Sequence, residues 1–328
     1  VNWYPWLNGP YRQLLVQHQE GRGHHALLLH AIDGMGEASL VYALARWLLC
    51  QRPQGEKSCG ECHACRLMMA GTHPDWHVLQ PEKGKSTLGI EPVRQVIEQL
   101  QSHAQQGGAK LVWIARCEQL SEAAANALLK TLEEPPAQTY FLLGTREPAQ
   151  LLPTLRSRCF YLYLAPPAED ASLRWLAQQM QGDAQAQRSA LRLSAGAPVA
   201  ALALLQPPRW AQRESLCLAL CLALESRQWL TLLGALNHED GTERLGWLCA
   251  LLLDALKLCH GAAASVANCD RLPLIQRLAV GFGEADLRRL LQAWIACRHQ
   301  LLATPGVNRE LMLMRQLCAW DAPAPAHP

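Results

Sequence analysis

The feature that most constrains this chain is an alternation. Short apolar runs of strand character recur at residues 26–30, 76–79, 110–114, 140–143 and 159–164, separated by longer stretches in which apolar residues return at helical spacing. Between the first two runs, Leu40, Ala43, Leu44, Trp47 and Leu48 mark one face of a helix over residues 39–50, and between the second and third, Val93, Val96, Ile97 and Leu100 mark another over 91–103. A helix also reads over 11–20, ending near Gly21 and Gly23. Strands that alternate with helices imply a mostly parallel sheet covered on both faces, because parallel neighbours need a crossover between them. The expected fold is therefore α/β for the first half of the chain.

The second half changes character after Ala165-Pro166-Pro167. Strand signals fade, and residues 168–181, 183–194 and 197–205 read as short helices of a small lid. Pro207-Pro208 marks a second boundary. From Trp210 to about Trp320 the pattern is almost wholly helical, with breaks at Asn237-His238, Gly261, Pro273, residues 281–283 and Pro305-Gly306. The expected domains are 1–165, 166–207 and 208–321, with 322–328 a disordered Pro/Ala tail.

Composition narrows the class. With 328 residues and half of them apolar, the chain can bury a sizeable core. A formal charge of +2 points neither to nor away from nucleic acid, so any basic surface must be local. The thirteen cysteines are odd in number and spread along the chain, unlike a secreted disulfide framework. No basic and apolar leader opens the chain, and the longest apolar runs, such as 216–224, are about half of the roughly 20 residues that a membrane span needs. A cytoplasmic protein with no membrane partner is the expectation.

Four cysteines stand apart. Cys50, Cys59, Cys62 and Cys65 are separated by eight, two and two residues. Two overlapping Cys-x-x-Cys turns gather three thiolates, and Cys50 at a helix end supplies the fourth. Four thiolates suit tetrahedral Zn²⁺ with no open position, so the insert at 50–65 is expected to be a structural zinc site and not a catalytic one. A redox pair or an iron–sulfur cluster is the alternative. The remaining cysteines, among them Cys217, Cys221, Cys249, Cys259, Cys269, Cys297 and Cys318, have no metal spacing and read as small hydrophobes.

The first strand, the turn Asp33-Gly34-Met35-Gly36 and the following helix stand where a phosphate-binding loop would. Such a loop ends in Gly-Lys-Ser/Thr, the Lys neutralising phosphate and the hydroxyl holding Mg²⁺. Here Gly36 is followed by Glu37 and Ala38, an anion and a methyl. A decayed loop and an ordinary tight turn predict the same inability to hold Mg-ATP.

Further along, Ser121 is a plausible cap for a helix whose face carries Ala125, Leu128, Leu129 and Leu132, and Pro135 ends that helix. The stretch Asn126-Ala-Leu-Leu-Lys130-Thr131-Leu-Glu133-Glu134-Pro135-Pro136, Thr145 at a strand end, and Leu155-Arg156-Ser157-Arg158-Cys159 together resemble the clamp-loader branch of the AAA+ ATPases. The likeness runs from Trp3-Tyr4-Pro5-Trp6 to roughly Arg309, and a similar cysteine insert occurs in that family. It implies a RecA-like AAA+ domain with a four-cysteine zinc insert, a helical lid and an all-α collar through which subunits assemble. Thr145 resembles the family's polar sensor, and Ser157-Arg158-Cys159 its SRC motif, in which Arg158 would be an arginine finger acting on a neighbour's ATP. Arg156 is the local competitor, and a structural arginine paired with Glu133 or Glu134 is the bland alternative.

Measured against that family, two more motifs have lost their charges. After the strand at 110–114 the acidic pair is replaced by Ala115 and Arg116, and in Ser194-Ala195-Gly196-Ala197-Pro198-Val199 the second-sensor arginine aligns with Val199. The resemblance thus implies a non-catalytic subunit of the DNA polymerase III clamp loader, with no ATP in its own site. Implied partners are subunits like gamma or tau and delta, the beta sliding clamp, and primer-template DNA reached through the complex. An ATP-hydrolysing remodelling subunit and a zinc-dependent DNA-binding factor are the rival readings. The aromatic arm at Trp3 to Trp6 is expected to pack, with contact to an adenine as the alternative, and Lys83 and Lys85 lie in a loop expected to be solvated rather than on DNA.

Overall fold

The computed structural model describes residues 2–304 and 306–321. The tail expected over 322–328 and the Pro305 half of one expected break lie outside the described residues. The chain divides into two compact units that meet in sequence at Pro166 and Pro167.

The first unit holds five parallel strands, β1 (Ala26–His30), β2 (Trp76–Leu79), β3 (Lys110–Ile114), β4 (Thr139–Thr145) and β5 (Phe160–Tyr163), in the order β2-β3-β4-β1-β5. Its helices are α1 (Asn8–Gln19), α2 (Glu37–Leu49), α3 (His63–Ala70), α4 (Ile90–Leu100), α5 (Glu122–Glu133) and the single turn α6 (Pro153–Arg156). All five expected strands form. In register, Leu28 of β1 lies beside Leu143 of β4 and Tyr161 of β5, and Val112 of β3 beside Phe141 of β4. Alternate residues therefore supply each face. Leu28, Val112, Phe141 and Leu143 join Val93 and Leu100 of α4 and Leu128 and Leu132 of α5 in one core, each such side chain contributing about 1.5–3 kcal/mol on burial.

The caps agree with the sequence. The Ser121 side chain accepts from the Ala124 amide at 3.2 Å at the start of α5, and Glu134, before Pro135, leaves helical geometry at φ −125°. Several boundaries move by a few residues; β4, for one, runs Thr139–Thr145. The last strand opens at Phe160, because Cys159 still belongs to the turn after α6, where its thiol donates to the Leu155 carbonyl at 3.3 Å. Helix α3 has no counterpart among the sequence expectations: the second Cys-x-x-Cys is not a bare turn but the first turn of a helix, with Cys62 as its cap.

The second unit is helical: α7 (Glu169–Gln179), α8 (Ala184–Leu193), α9 (Pro198–Leu204), α10 (Pro207–Ser226), α11 (Leu233–Leu236), α12 (Gly241–Cys259), α13 (Leu272–Ala303) and α14 (Arg309–Cys318). Leu176, Leu191 and Leu204 share one hydrophobic core with Leu216, Leu248, Ile275, Trp294 and Leu313, so the lid helices and the later helices bury into each other. The boundary expected at Pro207 and the break expected at Pro273 both coincide with helix starts. Pro207 opens α10 and Pro273 sits in the first turn of α13, where a missing N–H costs nothing. The expected break at 281–283 is a bend inside α13 at Gly283, whose φ of 71° and ψ of 175° suit glycine alone.

One polar cluster is buried in this unit. Arg213, with no exposure, donates to both carboxylate oxygens of Asp270 at 2.8 Å and to the Asn268 side-chain oxygen at 2.7 Å. Asn268 donates in turn to buried Asp254. The segment between α12 and α13 is thereby tied to α10. Among the described residues no helix is long and apolar enough to cross a membrane.

Candidate functional site

In open parallel sheets, sites form at the carboxyl ends of the strands. The turn between β1 and α2 lies there. Gly34 (φ 85°) and Gly36 (φ 80°) give it its shape. A Cβ on Gly36 would stand 2.4 Å from Cδ2 of Tyr4, so glycine is required both by the backbone and by the arm that covers the turn. The Trp6 indole donates to the Met35 carbonyl at 2.8 Å and stacks on Tyr4 with ring centroids 5.1 Å apart. The aromatic arm packs directly against the phosphate-type turn.

The charges at this turn pair with one another. Glu37 is the first residue of α2, and Ala38 beside it is exposed. Arg146, immediately after β4, pairs with Glu37 at 3.3 Å and also with Asp33. Arg116, just beyond β3 and the exposed Ala115, reaches Asp33 at 3.3 Å. Gly34, Gly36, Glu37 and Arg116 are thus brought together, joined by Asp33 and by Arg146, neither of which sequence reasoning singled out as a functional group. The signal for Arg146 was its place directly after Thr145 at a strand end. Thr145 itself ends β4, is 2% exposed, and accepts from the Glu147 amide at 3.3 Å.

The charged groups of the turn are already engaged with one another. The positive end of α2 already faces the Glu37 carboxylate, and Arg146 is engaged by two acids. Two like charges about 4 Å apart repel by about 4 kcal/mol at an effective dielectric constant of about 20, more than the about 1.5–3 kcal/mol that one hydrogen bond to a charged group contributes. Val199, at the other suspected loss, lies in the first turn of α9 and brings no charge.

Arg158 follows α6 and precedes β5. Its Nε donates to Glu133 Oε1 at 2.7 Å, its Nη1 to the Thr154 carbonyl at 2.6 Å, and its Nη2 to Glu133 as well. The side chain keeps 31% of its surface and Glu133 keeps 48%. Arg156 is exposed and ends α6. The two arginines therefore do not share a strand face, since the strand begins only at Phe160.

The four cysteines of the insert converge. Their Sγ atoms all lie within 4.8 Å of one another, with Cys50 to Cys59 at 3.5 Å, Cys50 to Cys62 at 4.0 Å and Cys59 to Cys65 at 4.0 Å. Tetrahedral bonds of about 2.3 Å to one zinc place sulfurs about 3.8 Å apart, so the donor set fits that ion. Backbone amides point inward too: Cys59 N–H to Cys50, Cys62 N–H to Cys59 and Cys65 N–H to Cys62, at 3.3, 3.4 and 3.4 Å. The Cys62 and Glu61 amides bring the Cys59 thiol down to about 6, while burial pushes Cys65 up to about 12 and also raises Cys50. Lysines 83 and 85 stay at the surface, Lys85 paired with Glu82 at 2.7 Å.

Known proteins agree with this architecture along its whole length. A family model described as DNA polymerase III, delta subunit, matches residues 8–168; one described as DNA polymerase III subunit delta', AAA+ ATPase lid domain, matches 167–206; and one described as DNA polymerase III, delta subunit, C terminal, matches 207–322. The chain is 59% identical over 326 residues to DNA polymerase III subunit delta' of Yersinia pestis, covering 98% of this chain and 96% of that one. It is 53% identical over 313 residues to the protein of the same name in Escherichia coli strain K12, covering 95% and 93%. Among solved structures, a DNA polymerase III gamma subunit-related protein from Thermotoga maritima aligns with a TM-score of 0.50 at 21% identity, over 96% of this chain and 98% of that one, a likeness of fold alone.

Proposed function

The chain belongs to the delta' family of DNA polymerase III subunits, and from that premise we propose that it serves the clamp loader as a subunit without ATP turnover of its own, built to complete an ATP site on a neighbour. The observation that carries this reading is the closed set of ion pairs at the phosphate-type turn. Glu37 stands where a P-loop needs its lysine, Ala38 where it needs a metal-holding hydroxyl, and Ala115 and Arg116 where the second motif needs acids. Arg146 and Arg116 are taken up by Asp33 and Glu37. The turn keeps the shape of a nucleotide site and none of its free charge.

Arg158 supplies the other half. Its guanidinium is always charged and can fork onto two phosphate oxygens. The ion pair with Glu133 is exposed and worth about 0–1 kcal/mol, so transfer to a γ-phosphate would mainly release the bond to the Thr154 carbonyl. A finger placed in trans is worth about 10³–10⁵ in rate in GTPase systems. The neighbours are subunits of the gamma or tau and delta kinds, the cargo is the beta clamp, and primer-template DNA is met through the assembled ring. The divisions at 165 and 207 are read as AAA+ domain, lid and collar. The Cys50, Cys59, Cys62 and Cys65 site holds one Zn²⁺ as a staple of the insert, with all four positions filled by protein and none left for a substrate.

The test is nucleotide binding and hydrolysis by the isolated chain. Neither a fluorescent ATP analogue titrated with Mg²⁺ nor a phosphate-release assay should give a signal. Turnover that a substitution in this chain abolishes would overturn the reading.

A further inference from the structure

A cavity of about 1020 Å³ in the first unit lies on the side of α2 given by Ser39, Tyr42, Ala43 and Arg46. Its walls come from three sources: the N-terminal arm and α1, one face of α2, and the cysteine insert with α3. We propose that this groove docks an acidic linear peptide through one large apolar side chain.

The apolar part of the groove is Tyr11, Tyr42, Met68 and Met69, rimmed by Trp3. Both tyrosine hydroxyls are already satisfied, Tyr11 donating to the Glu56 carbonyl at 2.9 Å and Tyr42 to the Met68 carbonyl at 3.0 Å. The rings therefore serve as apolar walls. Met69 is 54% exposed and Trp3 is 42% exposed, and both border this one groove. Thioethers and aromatic rings adapt to a guest side chain, and aromatic residues with arginine dominate peptide and protein hot spots.

The charges select the flanks of the guest. Three cations line the groove, Arg12, Arg46 and Lys57, against one carboxylate, Glu56. Glu56 is spent on Arg12 at 3.1 Å. That leaves Arg46 and Lys57 to meet incoming acids. Arg46 lies over the Tyr42 ring at 5.9 Å, which places its guanidinium beside the apolar wall. The chain's own residues 322–328 contain no acidic side chain and do not suit the groove. A single nucleic-acid strand suits it less well than a peptide does. Phosphates need a track of cations, whereas here two free cations flank a pocket floored by methionine.

The experiment uses the full chain and an array of fluorescein-labelled hexapeptides. Each carries Phe, Leu or Trp flanked by Asp and Glu, a matched array carries Lys and Arg flanks, and a twelve-nucleotide oligothymidylate is titrated beside them. Acid-flanked peptides should bind, the tightest should weaken about five- to tenfold in Arg46→Glu and in Lys57→Glu, and Met69→Asp should abolish the effect of the apolar anchor. Lys57 is exposed in a loop, so its reversal leaves the fold intact if that of Arg46 does not. The proposal fails if acid-flanked peptides bind no better than base-flanked ones, if Lys57→Glu changes nothing, or if the oligothymidylate outcompetes every peptide.

Discussion

Cys62→Ser is the sharpest perturbation of the insert, because it separates the metal from the helix that the same residue caps. Cys62 is 4% exposed, its Sγ lies 4.0 Å from that of Cys50, and it receives the Cys65 amide at the first turn of α3. Serine is itself a preferred cap, so α3 keeps its start while the metal loses a ligand. Structural zinc in small Cys-rich sites binds with about 10–16 kcal/mol at neutral pH. An equal share among four thiolates is about 2.5–4 kcal/mol, or about two to three decades in zinc affinity at about 1.4 kcal/mol per decade. Helix α3 has eight residues, below the about 12–15 at which an isolated helix holds in water, so without the metal it should open locally. Competition with a chromophoric chelator would read the affinity, and amide exchange over residues 51–71 the opening. Unchanged zinc affinity would refute the ligand assignment. Loss of protection in the second unit as well would refute the idea that the site is a local staple.

Three further outcomes follow from the same structure. Zinc affinity should rise with pH through the neutral range, since burial holds the Cys65 thiol up to about 12 and its proton must leave for metal to bind; a pH-independent affinity from about 6.5 to 8.5 would contradict this. In the second unit, burial raises the Asp270 carboxyl but the Arg213 guanidinium more than reverses it, leaving it below its usual 3.8. A depressed value means stability present above about 4 and lost as pH falls through the folded value, and Asp270→Ala, which strands the fully buried Arg213, should cost about 3–5 kcal/mol at pH 7 by urea denaturation; a loss under about 1 kcal/mol would show the pair to be dispensable. Finally, a fragment ending at Pro166 should keep its sheet by circular dichroism yet fail to enter the complex on gel filtration, whereas one ending at Pro207 should also expose the lid face that Leu176, Leu191 and Leu204 bury against later helices; a soluble, assembling fragment of residues 1–166 would overturn the collar assignment.

What could be read from the chain was what repeats. Five apolar runs became five parallel strands because buried strands need little besides β-compatible apolar residues, and Ser121 and Pro135 bounded α5 by local chemistry. Pro207, a boundary in the sequence, and Pro273, a break, each stand in the first turn of a new helix, where proline is an ordinary residue. Helix α3 was hidden because eight residues with Ala64, Cys65 and Met68 as the buried face are too few to show a clear helical period. The four sulfurs themselves were legible from spacing alone. Arg146 was not, because a single charge after a strand has no period; only the fold brings it to Asp33 and Glu37. The Arg158 pairing with Glu133 was one of two partners open from sequence, and three dimensions were needed to choose.

The central claim is that this subunit acts on a neighbour's nucleotide, and the measurement that reaches it most directly is ATP hydrolysis by the reconstituted clamp loader carrying Arg158→Ala, with Arg156→Ala as its companion. Assembly should persist in both. Hydrolysis at one neighbouring site, and loading of the beta clamp with it, should fall in Arg158→Ala and hold in Arg156→Ala. If Arg158→Ala leaves both rates unchanged, the role in trans is contradicted, and if only Arg156→Ala lowers them, the finger lies two residues upstream.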